Sequence, residues 1–172
     1  SNFPSSQDPP TIVNFSFVSA PQQILIAGGC NPVGLSTQDA LLVRWCDTGD
    51  YTDWLAASGN FAGSYRIPSG SRLVGGTHMA LFNLLWTDID LWSMQFQGLP
   101  FVWVFNKIGT GCGLVSDHAM GTLAQRTVWI SYRGFFELSN GGVKQLECTV
   151  WDAIFPIIDQ VQIETTLIAV DP

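Results

Sequence analysis

Charge is what this sequence has least of. Only 12% of its 172 residues are Asp, Glu, Lys or Arg, about half the share of an ordinary globular domain. So few charges cannot coat a surface of ordinary polarity. Much of that surface is therefore expected to be covered, by a partner subunit or by further parts of the same polypeptide. Positive charge is scarcest. Arg44, Arg66, Arg72, Lys107, Arg126, Arg133 and Lys144 are scattered along the chain against 14 acidic residues, for a formal net charge of −7. Phosphate backbones need concentrated positive charge, which argues against direct, sequence-specific nucleic-acid binding. The same balance weakens attraction to anionic membranes. No apolar run approaches the ~20 residues that span a bilayer, and no signal-like leader is read. The chain opens on Ser1 rather than Met, which reads as a trimmed start or as a piece of something longer.

Metal-type cysteine spacing is also missing. Cys30, Cys46, Cys112 and Cys148 form no C-x-x-C pair, and their gaps match no zinc pattern. They are expected to be reduced, buried, small apolar side chains. There is no convincing amphipathic helix; residues 117–125 and 149–155 are the only places where a short one fits.

Apolar and aromatic residues take the vacant share: 47% of the chain is hydrophobic and 12% aromatic. Residues 1–10 are polar and proline-bearing, and predict an extended arm. From residue 11 to 172 the chain reads as strands and turns. Runs at 11–18 and 23–27 flank Ser19-Ala20-Pro21 as a hairpin. Runs at 39–45, 51–54, 64–67 and 73–74 follow, punctuated by Asp47-Thr48-Gly49-Asp50, Pro68-Ser69-Gly70 and Gly75-Gly76. The clearest hairpin joins 81–86 to 91–96 through Thr87-Asp88-Ile89-Asp90. In its first strand Leu81 and Leu85 face one way, and Phe82, Leu84 and Trp86 the other. Both faces are apolar, which predicts a strand covered on both sides. A strand at 101–105 follows. Runs at 128–132 and 135–138 repeat the hairpin, 143–146 follows it, 148–155 stops at Pro156, and 161–170 closes the chain.

Trp45, Trp86 and Trp129 each close or nearly close such a run, 41 and 43 residues apart. A period of about 40–45 residues with several short strands per period is the mark of β-propeller blades. The fold class expected is therefore all-β and propeller-type. At this length it is a partial propeller of about four blades, with the three tryptophans in equivalent places. A single blade cannot bury both its faces, so blades must stack on one another.

A longer series of segments carries a resemblance. It runs Arg44-Trp45-Cys46-Asp47, Asp50-Tyr51-Thr52-Asp53-Trp54, Asn60-Phe61-Ala62-Gly63 and Ser69-Gly70-Ser71-Arg72-Leu73-Val74-Gly75-Gly76. It continues with Leu85-Trp86-Thr87-Asp88, Leu91-Trp92 and Gly109-Thr110-Gly111-Cys112-Gly113-Leu114. Trp129-Ile130-Ser131, Gly134-Phe135-Phe136 and Leu146-Glu147-Cys148-Thr149-Val150-Trp151-Asp152 end it. Over roughly residues 24–160 this resembles the packaged-DNA stabilisation proteins of short-tailed bacteriophages, which are tail hub or adaptor components. The resemblance implies a β-propeller virion protein, assembled in the host cytoplasm, that acts as a homo-oligomer in the tail. It would sit below the portal, close the DNA channel, retain the packaged DNA and carry further tail parts. Members of that family are several hundred residues long, so the chain is expected to be a fragment or a reduced relative. The resemblance supplies no catalytic, cofactor or metal residues. An acidic channel wall would repel DNA phosphates and let the genome slide past.

Other constellations are weaker. Ser116-Asp117-His118 holds the residue types of a hydrolase triad, but triad members converge in space and sequence neighbours point apart. His78 is expected to be structural. Asp47, Asp50 and Asp53 recur every third residue, whereas a calcium loop wants carboxylates at alternating positions with a central glycine; turn carboxylates are expected instead. The segment 47–54 vaguely resembles a sialidase Asp-box, with Asp53 intruding before Trp54 and no sign of a converging arginine triad. No enzyme activity, cofactor or metal is expected. The rival function is a carbohydrate-binding, lectin-like or receptor-binding propeller, with Trp54, Trp103 and Trp151 as candidate sugar-stacking rings.

Overall fold

A computed structural model describes residues 8–123, 125–157 and 162–169. The architecture is all-β, with twelve strands in three four-stranded antiparallel sheets, each wound in chain order. The first sheet holds β1 (Phe15–Ser19), β2 (Ile24–Gly28), β3 (Leu42–Trp45) and β4 (Gly63–Arg66). The second holds β5 (Leu73–His78), β6 (Asn83–Thr87), β7 (Asp90–Phe96) and β8 (Trp103–Thr110). The third holds β9 (Met120–Leu123), β10 (Arg126–Ser131), β11 (Gly134–Ser139) and β12 (Gly142–Gln145). No sheet closes on itself. A short helix, α1 (Trp151–Ile154), and two 3-10 turns, Phe155–Ile157 and Ile163–Thr165, follow β12.

The sheets stack face to face with the second in the middle. Leu85, Trp92 and Met94 of that sheet join Ile24, Ile26, Val43 and Trp45 of the first in one core. Leu84, Trp86 and Leu91 join Trp129, Phe136 and Leu138 of the third in another. Every residue of β6 is buried, because successive side chains point to opposite faces and both faces are covered. The split between Leu85 and the Leu84–Trp86 side is the one the alternation predicts. The third sheet has one covered face, and β11 alternates buried and half-buried residues. Its outer face is partly roofed by α1, where the Trp151 ring meets Phe135 at 5.1 Å.

Glycine sets how closely the first strands approach. A side chain at Gly76 would collide with the rings of Phe17 and Phe15 on β1. One at Gly75, facing the other way, would press on Leu114 and the Asp117 backbone just before β9. Strand β5 is thus thin on both faces where its neighbours come nearest. At the fourth strands of the first interface the gap is wide enough for Tyr65 to stack on Phe105 at 4.2 Å. The second interface stays close at its fourth strands too, where Val143 of β12 reaches Gly109 of β8.

Several expectations are corrected. The three evenly spaced tryptophans are not equivalent. Trp45 ends a third strand, while Trp86 and Trp129 lie on second strands and point toward each other across one interface. The described residues form three four-stranded sheets rather than about four. Gly75-Gly76 lies within a strand, and β9 replaces the expected loop or helix. The 51–54 run is a loop held by turns. Residues 148–155 turn into α1 instead of forming a strand. Of the closing run 161–170, residues 162–169 hold a 3-10 turn and extended chain, and the rest lies outside the described residues. The expected hairpin copy holds in topology, since β6–β7 and β10–β11 are both second and third strands. Of the predicted arm, residues 1–7 lie outside the described residues. Asp8 packs back on its own chain: its backbone carbonyl and carboxylate accept from the buried Arg44 guanidinium at 2.7 and 3.4 Å.

Candidate functional site

Consecutive antiparallel strands place alternate loops at opposite ends of the stack. One end gathers the segments before the first strands of the three sheets. A cavity of about 330 Å³ lies there, lined by Asn14, Arg72, Leu73, Val115, Ser116 and Asp117 among others. A second cavity of about 470 Å³ shares Asp117 and continues along Thr77, His118 and Met120.

Ser116, Asp117 and His118 fall at this mouth, but not as a triad. Asp117 sits between the other two, with Oδ1 3.4 Å from Ser116 Oγ and 3.6 Å from His118 Nε2. The imidazole is mostly exposed, and it is the His118 backbone N–H that donates to Ser116 Oγ. A triad needs the imidazole between hydroxyl and carboxylate to carry the proton. This order cannot do that.

Beside the mouth, the β6–β7 turn is caged. Asp88 accepts from the Ser71 amide at 2.8 Å, the Ser71 hydroxyl at 2.7 Å and the Arg72 amide at 3.4 Å. Burial pushes its carboxyl up, but the hydrogen bonds from Ser71 and Arg72 outweigh it and hold the group below the ordinary aspartate value. Asp90, almost wholly buried, is held by Lys107 at 2.8 Å and by the Ser69 hydroxyl at 2.6 Å. The Lys107 ammonium also lies 5.5 Å from the centre of the Trp92 ring.

The remaining sequence candidates are structural. Asp47 accepts from the Thr48 and Phe61 amides, Asp50 from the amide and hydroxyl of Thr52, and Asp53 from the Leu55 amide and Asn60 side chain. These are turn carboxylates, with Oδ1 of Asp47 and Asp50 and both oxygens of Asp53 engaged by local donors. Among the described residues, no three His, Cys, Asp or Glu gather as a metal would require. His78 Nδ1 pairs with Asn83 Oδ1 at 3.1 Å, and Asn83 donates on to Ser19 of the first sheet. Trp54 and Trp103 are buried and Trp151 is half-buried, so the rings suggested for sugar stacking are not open platforms. Cys30, Cys46 and Cys112 are buried, whereas Cys148 is half-buried. Desolvation pushes the Cys30 and Cys112 thiols up to about 11 and raises Cys46 as well.

The opposite end differs in chemistry. It presents the turns after β1, β5, β7, β9 and β11, with Leu81 83% and Phe101 74% exposed. A cavity of about 330 Å³ opens between the β5–β6 and β11–β12 turns, lined by Met79, Leu81, Phe82, Gln125, Leu138 and Asn140 among others. This end was not singled out by the sequence, and Arg72 entered only as a scattered basic residue and within a resembling segment, not as part of a mouth. The signal for both is the distribution of charge among loops, and it becomes visible only once strands fix which loops share an end. No helix among the described residues is long and apolar enough to cross a membrane. Comparison with known proteins found no protein family that matches the chain and no curated protein that matches it.

Proposed function

We propose that this chain is a non-enzymatic virion structural protein of a short-tailed bacteriophage. In this reading it is a propeller-type hub or adaptor below the portal, works in several copies, and helps to close the channel and retain packaged DNA. Its partners would be the portal or adaptor ring and other tail proteins. The observation that carries the reading is the middle sheet, a four-stranded antiparallel unit covered on both faces by units of the same kind taken in chain order. Blades pack in this way. The ordered segments from Arg44 to Asp152 that resemble the phage family give the reading its biological setting. In this reading the cavity before the first strands would open toward the propeller axis.

The lectin alternative has less support, because its candidate tryptophans are enclosed. The deciding experiment mixes the chain with the portal ring of the phage whose genome encodes it, followed by native mass spectrometry and electron microscopy. A defined ring of copies seated on the portal is expected. Failure to bind the portal, together with a sugar-dependent change in Trp fluorescence, would overturn the hub in favour of the lectin.

A further inference from the structure

We propose that the end of the stack bearing Leu81 and Phe101 is a self-association surface, whose occupant is the same end of a second copy of this chain. Charge is distributed unequally between the two ends of the stack. Each of the six loops at the cavity-mouth end carries a charged residue: Asp39, Arg72, Asp88, Asp117, Arg133 and Glu147 in chain order. At the opposite end, the described residues of the turns after β1, β5, β7, β9 and β11 carry no Asp, Glu, Lys or Arg. The long β3–β4 loop, at the margin by the first sheet, brings Asp47, Asp50 and Asp53 there, and the exposed Arg126 at the start of β10 stands at the far margin beside Gln125.

A chain with net charge −7 repels its own copies through most of its surface. The stretch of this end between those margins, formed by the turns after β1, β5, β7, β9 and β11, is where two copies meet with the least of that cost. It also has the apolar content that an interface centre needs. Leu81 and Phe101 stand out from their turns, and Leu99 is half exposed beside Phe101.

Shape supports the same occupant. A two-fold contact uses one patch on both partners, so the patch must hold both projection and recess. Here Leu81 projects at the rim of the cavity floored by Met79, Phe82 and Leu138. A leucine-sized side chain from a second copy fits a recess of about 330 Å³, while Leu81 enters the recess opposite. The His78–Asn83–Ser19 hydrogen bonds tie the first and second sheets together at this end. The surface is therefore presented by a fixed frame.

The inference is read from charge and shape, and it holds or fails whether or not the chain belongs to a phage tail. The test is sedimentation velocity and light scattering on the full chain over a wide concentration range. It compares the unchanged protein with the L81E/F101E double variant and with L35E, which alters an exposed leucine at the other end. A concentration-dependent dimer is expected, weakened about tenfold or more by L81E/F101E and unchanged by L35E. Hydrogen exchange on the unchanged protein gives a second reading, with added protection at residues 79–82 and 97–101 as the dimer forms. A monomer at every concentration, a dimer indifferent to L81E/F101E, or protection confined elsewhere would each overturn the surface. Portal binding by an unchanged protein that stays monomeric at every concentration would leave the hub reading intact while this one fails.

Discussion

The indole rings of Trp86 and Trp129 meet edge to face, with centroids 5.5 Å apart and planes at 66°. They come from the second strands of adjacent sheets and close the same core from opposite sides. Their polar edges differ. Trp129 donates its ring N–H to the Cys112 carbonyl at 2.7 Å, whereas the buried Trp86 N–H has no hydrogen-bond partner.

That difference predicts unequal costs for one chemical change. Trp129→Phe strands a buried carbonyl, a loss of about 1–3 kcal/mol added to the smaller ring's packing loss. Trp86→Phe removes a donor that was already unpaired, so it incurs the packing loss alone. Urea denaturation of both variants should rank Trp129→Phe as clearly the less stable. Equal midpoints would remove the hydrogen bond from the account.

A methyl group at Gly113 would overlap the carbonyl of Asp88. The obstacle is backbone, so no rotamer relieves it. Gly113→Ala should destabilise by more than about 2 kcal/mol. Gly59→Ala, where no neighbour lies within 4 Å, should change stability little. Thermal melts of the two variants check the pair.

Asp88 gives a pH signature. Its folded-state pKa lies below the unfolded value. Its contribution is therefore full above the unfolded value of 3.8 and is lost as pH falls through the lower, folded one. The stability gap between the unchanged protein and Asp88→Asn should be constant near neutrality and shrink below about pH 4. A gap that widens in acid would reverse the sign of the argument.

The thiols should separate by access. With Cys30 and Cys112 near 11 and Cys46 also raised, few of these three are thiolate at pH 8. Cys148 should react first with a thiol reagent, and Cys148→Ser should erase the fast phase. A fast phase that persists in that variant would mean that one of the buried sites opens readily.

Strand positions were largely legible, because alternation and turn residues are local signals. The two-faced burial around Leu85 and Trp86 was legible for the same reason. The tryptophan period misled, because Trp45, Trp86 and Trp129 are fixed by packing partners that spacing does not encode. Gly75-Gly76 looked like a break. Its meaning depends on Phe17 on one side and the Asp117 backbone on the other, both distant in sequence. Strand β9 was missed because Met120–Leu123 is short and half-exposed, with pairing to β10 as its support. The candidate sites were read as local turns and a structural histidine, and the hydrogen bonds at Asp47, Asp50, Asp53 and His78 agree.

A sheet without a solvent face cannot melt by itself. To wet β6, the molecule must first shed one of its neighbours and bare a core. Either outer sheet has one face already near water and can loosen at a smaller cost. The stack therefore has an order of opening built into it. The outer sheets supply the shallow, local fluctuations, and the backbone amides of β6 sense only the deepest, in which cooperativity spans the whole molecule.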